Sequence, residues 1–468
     1  MVAVGERFDA AKHVHKQPFL LRMASPDWNA SFDSSKECRK DSTDFGPVVR
    51  SAYIIFHEYL QKPKGVERLS VAFDAPLFDT MFRRRTKRFP LGGELPARRA
   101  GLAYKSSELP VPFNETETAL LCFAGVGVTG VTTEEIRHLL GHLTVTGRTS
   151  ATPCASLTLH LFFTNDDGVF YYKPEKSVEI IPKEKVRIAS KEDRGKIAQD
   201  YGRNLVKLRD GRLPVPREAI GSAFVDMVNR PGTTVFMPVA DTTREYINML
   251  LTGIAQFRWR MWDEVTNKPA GVSRWIRQGL LNGEKMTISS YDNMLPWLCN
   301  LEAGIASQNM MLAAQAMGLG GFMMHTINFQ ALMKLMNFRL ERVKGKGFPQ
   351  ATPNPVGIDG ILEGFCPPYK DVDQAVDEIV EEKWGSKGIY GPEGYNLPVP
   401  KEYAELVKAV KAFLSYVYEK YGRLPKYSNA MYFPALLQAH HIDLGFYTKH
   451  FPEYVTEADK RHMEIWHQ

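Results

Sequence analysis

The pattern of hydrophobic and polar positions is most informative between residues 300 and 326, which read NLEAGIASQNMMLAAQAMGLGGFMMHT. Apolar residues recur there near the helical spacing, and small residues among them let another backbone or a flat ligand come close. Gly318 stands where this helix would end, because glycine accepts the left-handed cap without strain. Gly320 and Gly321 follow, and then an extended apolar piece, residues 322–324. Taken alone, the pattern favours a buried core helix over a cofactor site.

Polar residues within the same stretch argue against a membrane span. Asn300, Glu302, Gln308, Asn309 and Gln315 interrupt the apolar run, and each of them would be costly in lipid. We therefore expect no membrane-embedded segment here.

Helix starts are predicted where a hydroxyl or amide residue is followed three positions later by glutamate, the capping-box pattern. Such starts occur at Asn114, Thr132 and Thr242. Apolar periodicity predicts further helices over residues 48–60, 272–281, 371–384 and 402–421. The last of these has the most regular apolar stripe, and Gly422 would end it.

Strands are predicted in two places by apolar residues. Residues 157–163 alternate, a turn follows at 165–168, and residues 169–172 return as the second strand of a hairpin. Residues 233–240 predict a short buried strand. Between these two places, residues 175–221 are polar and charged, which indicates an insertion or connecting region.

Composition narrows the class of protein. The 468 residues are enough for two to three domains, and a net charge of +6 permits an anionic ligand without implying nucleic acid. Five widely spaced cysteines without a CxxC motif fit a reducing compartment. Because the N-terminus also lacks the apolar run of a signal peptide, we expect a cytoplasmic protein.

Two segments carry candidate binding chemistry. Residues 83–88 hold five cationic side chains in six positions and are bracketed by Phe82 and Phe89. Such a run is a solvated face, a nucleic-acid patch or a phosphate site, and guanidinium groups suit phosphate oxygens. The segment lacks the interleaved aromatic residues of a single-strand nucleic-acid binder. Residues 147–153 (GRTSATP), just before the hairpin, form a second candidate ligand loop.

These segments together resemble the nitroreductase superfamily of FMN-dependent oxidoreductases. Residues 83–89 are similar to the family's N-terminal phosphate motif, and residues 313–321 to its flavin-supporting helix and Gly-Leu-Gly turn. Residues 147–153 are similar to its middle loop, especially in the branch of azoline oxidases that make thiazoles and oxazoles. The resemblance covers residues 79–338 and keeps the family's order and spacing.

The resemblance implies FMN as cofactor and assigns residues to it. Arg83 and Arg85 would hold the phosphate or ribityl chain, and Lys87 would approach the pyrimidine edge. A cation there would ease electron uptake, because reduced flavin carries negative charge at that edge. The implied cofactor-binding residues are Arg83, Arg84, Arg85, Lys87, Arg148, Thr149, Ser150, Gly320, Gly321, Met323 and Met324.

Candidate catalytic residues are predicted in two places: directly after the glycine-bearing stretch 318–324, and in the histidine-bearing C-terminal region. His325 and Thr326 would sit where family members aim backbone N–H groups at the flavin N5. His441 would be a proton donor if the C-terminal region forms a substrate lid, although a structural role is favoured for it. We expect no metal site, because His440 and Asp443, taken as sharing a helix face, are only two ligands.

The sequence therefore predicts an α+β flavoprotein with a mixed or mainly antiparallel sheet flanked by helices. Residues 1–75 would be an N-terminal extension, residues 76–345 the FMN-binding core with an insertion near 175–232, and residues 346–468 a mainly helical C-terminal extension. The family implies a homodimer and ping-pong hydride transfer through FMN between a small-molecule substrate and NAD(P)H or oxygen. We expect neither nucleic acid nor a membrane as partner. The alternatives are a reductive dehalogenase, a flavin-fragmenting enzyme and a non-catalytic flavin-binding redox sensor.

Overall fold

The computed structural model describes residues 75–96, 102–131, 146–152, 155–173, 201–220, 222–325, 328–341, 353–364, 371–384 and 403–467. The helix predicted over residues 48–60 and the capping pattern at Thr132 lie outside these ranges. The domain boundaries proposed from the sequence stay a prediction.

The helices of the described ranges are α1 (Leu77–Arg83), α2 (Glu115–Val126), α3 (Ser222–Val228), α4 (Thr242–Phe257), α5 (Ser273–Arg277), α6 (Ile288–Met317), α7 (Phe329–Leu335), α8 (Val372–Trp384), α9 (Tyr403–Tyr421), α10 (Leu444–His450) and α11 (Glu457–Trp466). A 3-10 helix spans Pro452–Tyr454.

The strands are β1 (Glu94–Leu95), β2 (Tyr104–Lys105), β3 (Val128–Val131), β4 (Thr146–Arg148), β5 (Leu159–Asn165), β6 (Gly168–Tyr172), β7 (Leu205–Asp210), β8 (Thr234–Asp241), β9 (Arg260–Asp263), β10 (Lys268–Pro269), β11 (Lys285–Thr287), β12 (Gly320–His325), β13 (Arg339–Glu341), β14 (Asn354–Ile358), β15 (Leu362–Glu363), β16 (Met431–Tyr432) and β17 (Ala435–His440).

A seven-stranded sheet organises the fold. Its order is β12-β17-β8-β5-β6-β7, with β16 also pairing with β8, and every pair in it is antiparallel. Helices pack against this sheet, and the predicted α+β class is confirmed. The predicted hairpin is confirmed as well, because β5 and β6 pair across the turn at Asp166 and Asp167.

Both faces of the sheet are buried under apolar side chains. In the register of β5 with β8, Phe163 lies opposite Phe236 and belongs to one core, whereas Phe162 lies opposite Met237 and belongs to the other. This follows from the alternation of side chains along a strand. Since both faces are covered, all eight residues of β8 are buried and its sequence is apolar almost throughout.

Helix α6 is the longest of the described helices, with 30 residues and a length of roughly 45 Å at 1.5 Å per residue. The sequence predicts only its second half, because Pro296 lies inside it and proline removes a helical hydrogen bond. Its start is set by Thr287, whose side chain accepts a hydrogen bond from the Ser290 N–H. Its end is the predicted left-handed Gly318, with φ of 79°.

Two capping predictions have different outcomes. Asn114 and Glu117 form the predicted reciprocal capping box at the start of α2. For α4, the prediction that Thr242 is the cap is wrong by one residue. Asp241 is the cap, because its carboxylate accepts from the Thr243 N–H, and Thr242 is already helical. The helices predicted over residues 371–384 and 402–421 are confirmed as α8 and α9.

Two stretches are more structured than their patterns indicate. Part of the predicted connecting region, Leu205–Asp210, is strand β7, whose polar side chains fit the edge of the sheet beside β6. His440 does not lie on a helix, so the shared helix face with Asp443 is wrong. His440 is the last residue of β17, a mostly buried strand. Because β17 lies between β12 and β8, the C-terminal region contributes an inner strand to the sheet.

No helix in the described part of the chain is both long enough and apolar enough to cross a membrane.

Replacing Gly318 by alanine tests the turn between α6 and β12. The residue has positive φ, and a Cβ there would overlap the Ala458 carbonyl. We expect Gly318→Ala to lower the free energy of unfolding by more than the roughly 1–2 kcal/mol that a left-handed residue costs. Urea unfolding followed by circular dichroism measures the difference.

Gly279→Ala is the matched control, because Gly279 has φ of 75° and nothing within 4 Å of an added Cβ. It should show the conformational cost alone. Equal losses for the two variants would mean that the approach of Ala458 to this turn is unimportant.

Candidate functional site

The basic segment extends from the end of α1 along the surface. Arg83 forms an exposed ion pair of 2.8 Å with Asp79, one helical turn earlier. Arg84 is half-buried and Arg85 is exposed, and the Arg85 guanidinium lies 5.1 Å from the centre of the Tyr454 ring. The predicted phosphate-binding arginines thus present their cationic groups at or near the surface.

Lys87 differs from its neighbours because its side chain is buried and forms an ion pair with Asp459 of α11. Burial lowers the pKa of Lys87, and the Asp459 carboxylate partly offsets this effect. The ammonium group is therefore held by a carboxylate of the C-terminal region. Its predicted approach to a flavin stays a prediction.

The basic segment touches the glycine turn and the strand that follows it. The Lys87 carbonyl lies so close to Gly320 that a side chain at position 320 would overlap it. The Arg88 guanidinium lies 5.5 Å from the centre of the Phe322 ring on β12. The Arg85 N–H also donates to Gln315 Oε1, at 3.2 Å, near the end of α6. The first and third predicted segments are therefore adjacent within one chain.

The middle loop, residues 147–153, is hydrogen-bonded to helix α6. Asn309 of α6 donates through its Nδ2 to the Thr149 carbonyl at 2.9 Å. The Thr149 hydroxyl donates to the Phe123 carbonyl at 2.8 Å, and Arg148 donates to the Val126 carbonyl at 2.9 Å. Ser150 is buried. The loop is thus held by the C-terminal end of α2 and by α6.

Helix α6 brings the three segments together. Asn309 meets the middle loop and Gln315 meets the basic segment, which places the two contacts about 9 Å apart along the helix axis. Gly320 follows three residues after the helix ends. Segments that lie far apart in the sequence therefore converge on the last three turns of α6 and the start of β12.

Strand β12 is at the edge of the sheet and pairs with β17 alone among the described strands. Its side chains alternate: Met323 is 48% exposed, whereas Met324 is 6% exposed and belongs to the core. His325 is exposed, with Nδ1 3.1 Å from the Pro434 carbonyl oxygen, and Thr326 lies outside the described residues. Gly320 and Gly321 are buried. Of the two methionines predicted beside the flavin, Met323 is the accessible one.

His441 occupies a different environment from the predicted lid. It is buried, and its Nε2 lies 2.8 Å from Oε1 of Glu117 on α2. His462 and His467 contact the same carboxylate, at 2.8 and 3.1 Å. Burial on its own would raise the pKa of Glu117, but the three histidines hold it well below its usual range.

Sequence reasoning missed Glu117, His462 and His467 because they lie up to 350 residues apart. Glu117 reads as an ordinary capping residue, and the two histidines follow no ligand spacing on their own. Only the packing of α11 against α2 brings them together.

Comparison with known proteins supports the resemblance. Residues 250–345 match the nitroreductase family. The predicted nitroreductase resemblance is confirmed over these residues. They include α6, the glycine turn and β12, whereas the azoline-oxidase branch stays a prediction. No curated protein matches the chain.

Among solved structures, the chain is similar to a protein of Ralstonia eutropha JMP134 provisionally named a nitroreductase. The identity is 15%, the alignment covers 56% of this chain and 75% of that protein, and the TM-score is 0.28. The α+β class rests on the sheet topology of this chain itself.

The buried pair of Lys87 and Asp459 makes a stability prediction. Asp459→Asn keeps the size of the side chain but leaves the ammonium without its carboxylate. We expect the free energy of unfolding to fall by about 3–5 kcal/mol, the range for removing one partner of a buried pair. Chemical denaturation of the purified protein measures it.

Asp79→Asn, which breaks the exposed pair with Arg83, is the control and should change stability little. Equal losses of unfolding free energy in the two variants would mean that the buried ion pair of Lys87 and Asp459 stabilises the protein no more than the exposed pair does.

Proposed function

We propose that this protein is an FMN-dependent oxidoreductase of the nitroreductase type. One observation carries the proposal: the basic segment lies against the glycine turn and β12 within a single chain. The match of residues 250–345 to the nitroreductase family supports it, because that match contains the turn and the strand.

The residues at this place fit the chemistry of FMN. Arg83 and Arg85 offer guanidinium groups, which bind phosphate oxygens through paired hydrogen bonds. Met323 offers an accessible, polarisable apolar contact for a flat ring. The backbone edge of β12 opposite β17, where no strand of the described ranges pairs, offers donors and acceptors suited to the polar rim of a flavin.

Bound FMN would supply hydride transfer at its N5, and the protein would bind and orient the reactants. His325 is exposed at the end of β12 and is the described residue best placed to hold a polar group of a substrate. The proposed substrates are aromatic, quinone or heterocyclic small molecules, with NAD(P)H or oxygen as co-substrate. No role is proposed for Met324 at the ring, because its side chain is in the core.

The reductive dehalogenase, the flavin-fragmenting enzyme and the redox sensor remain alternatives on the same fold. Product analysis with and without oxygen separates the two enzymes from the proposed reaction. Bleaching of the bound flavin by NADH or NADPH, with turnover on an added acceptor, would exclude a non-catalytic sensor.

A homodimer is the second part of the proposal. Helix α6 exposes large apolar side chains on one face, with Trp297 67% and Leu301 58% exposed. Gly304 lies on the same exposed part of the helix, where nothing approaches within 4 Å of an added Cβ. Such an exposed apolar helix face suits the matching face of a second copy of this chain.

Ligand preference tests the phosphate site. The purified protein should be yellow and release a cofactor with the mass of FMN. After the cofactor is removed, Arg85→Ala should weaken FMN binding about 10- to 100-fold, the value of a charge-assisted hydrogen bond. Riboflavin, which lacks the phosphate, should bind the variant and the unaltered protein equally. Quenching of flavin fluorescence measures both affinities.

Arg277→Ala on α5 removes another exposed arginine and is the matched control. A colourless protein that ignores added FMN would overturn the proposal. An equal loss of FMN and riboflavin binding in Arg85→Ala would remove Arg85 from the phosphate site.

A charge on the exposed face of α6 tests the dimer. Leu301→Asp would place two carboxylates in a self-complementary interface, where desolvation and like-charge repulsion oppose association. We expect the variant to be monomeric by light scattering at concentrations where the unaltered protein is dimeric.

Val265→Asp alters another exposed apolar residue, 66% accessible, and should leave the dimer intact. A dimer that withstands Leu301→Asp would place the interface on another surface.

A further inference from the structure

Four potential metal ligands meet at a buried point behind the end of α6, and none of them is among the residues assigned to the flavin. Glu117 comes from α2 and His462 from α11, whereas His441 directly follows β17 and His467 directly follows α11. One ligand atom of each residue lies within 4.8 Å of those of the other three. Glu117, His441 and His462 are buried, and the His467 side chain is 18% exposed.

Backbone carbonyls determine which ring nitrogens face the centre. Nδ1 of His441 lies 2.8 Å from the Val111 carbonyl oxygen, and Nδ1 of His462 lies 2.5 Å from that of Met317. A carbonyl oxygen can only accept, so both Nδ1 atoms carry the proton. In neutral rings the Nε2 lone pairs then point towards Glu117. This is the arrangement in which a second hydrogen bond orients a metal-binding imidazole.

Without a cation, the hydrogen-bonding groups and charges of these four side chains are hard to balance. Neutral rings would direct lone pairs at a carboxylate oxygen, while protonated rings would bury more positive charge than one carboxylate balances. The two Nε2 atoms of His441 and His467 are also only 3.0 Å apart. A divalent cation among these atoms removes both problems, because the Nε2 lone pairs and Glu117 Oε1 would then all face the ion.

We propose that Glu117, His441, His462 and His467 bind one divalent transition-metal ion, for which zinc is the natural probe. Three imidazole nitrogens and one carboxylate oxygen are a donor set of this class of ion. Bonds of about 2.0–2.1 Å in a tetrahedron place ligand atoms about 3.3–3.4 Å apart. Glu117 Oε1 lies 2.8 Å from Nε2 of His441 and 2.8 Å from Nε2 of His462, and the Nε2 atoms of His441 and His467 are 3.0 Å apart. These pairs would open slightly around an ion, and the wider pairs, none of them beyond 4.8 Å, would close.

The position of Glu117 is already fixed for this role. Its Oε2 accepts from the Asn114 N–H at 2.8 Å in the capping box, and this leaves Oε1 towards His441 and His462. Asn114 also donates through Nδ2 to the Trp466 carbonyl at 2.8 Å, next to His467. The site would act structurally, by joining α11 to α2 and to the end of β17. This assignment replaces the proton-donor role considered for His441 and the expectation of no metal.

Metal analysis of the full-length protein tests the site. After dialysis against metal-free buffer and titration with zinc, we expect one tightly bound ion per chain by elemental mass spectrometry. X-ray absorption at the zinc edge should show nitrogen and oxygen neighbours at about 2.0–2.1 Å and no sulfur. Removing the ion with a strong chelator should speed hydrogen exchange in residues 457–467, and added zinc should restore the slow exchange.

Variants assign the ligands. Glu117→Gln and His462→Gln should each lower the zinc retained at least tenfold, whereas His450→Gln, a histidine of α10 outside the cluster, should keep one ion per chain. The X-ray absorption spectrum is measured on the unaltered protein. A folding defect in one of the variants therefore does not affect the identification of the ligand atoms. No zinc bound, or a first shell containing sulfur, would overturn the proposal. Flavin content measured on the same samples keeps this outcome separate from that of the proposed function.

Discussion

The close approach of two backbones at Gly320 is the constraint on which the arrangement of the site depends. The Lys87 carbonyl occupies the space that any side chain at position 320 would need, so only glycine lets the basic segment lie against the first residue of β12. The same contact brings Arg88 over Phe322 and lets the Arg85 N–H reach Gln315. Without it, the cationic groups and the edge strand would not share one surface.

Much of this arrangement is readable from the sequence, for identifiable reasons. Local chemistry marks the capping box at Asn114 and the left-handed turn at Gly318, because both depend on residues close in the chain. The hairpin of β5 and β6 is readable for the same reason. The three predicted binding segments follow from their residue types and order, and the fold brings them to one helix.

What the sequence does not reveal is decided by contacts between distant residues. Helix α6 continues through Pro296 because tertiary packing outweighs the lost hydrogen bond. Since a proline normally marks the end or a kink of a helix, the sequence alone does not predict the half before it. Lys87 looks like one more surface cation, and only Asp459 of α11 makes it a buried one. The cluster around Glu117 is hidden likewise, since its histidines come from the last part of the chain.

The place of β17 in the sheet has a consequence for synthesis on the ribosome. This strand, residues Ala435–His440, lies between β12 and β8, which are made more than a hundred residues earlier. Until it emerges, β8 lacks one neighbour and β12 lacks its only described one, so both leave hydrogen-bonding edges open in the nascent chain. Such long-range pairing slows folding and leaves apolar edges open to wrong partners. The growing polypeptide therefore completes this sheet only after His440 has been made, and chaperones have a long interval in which to bind it.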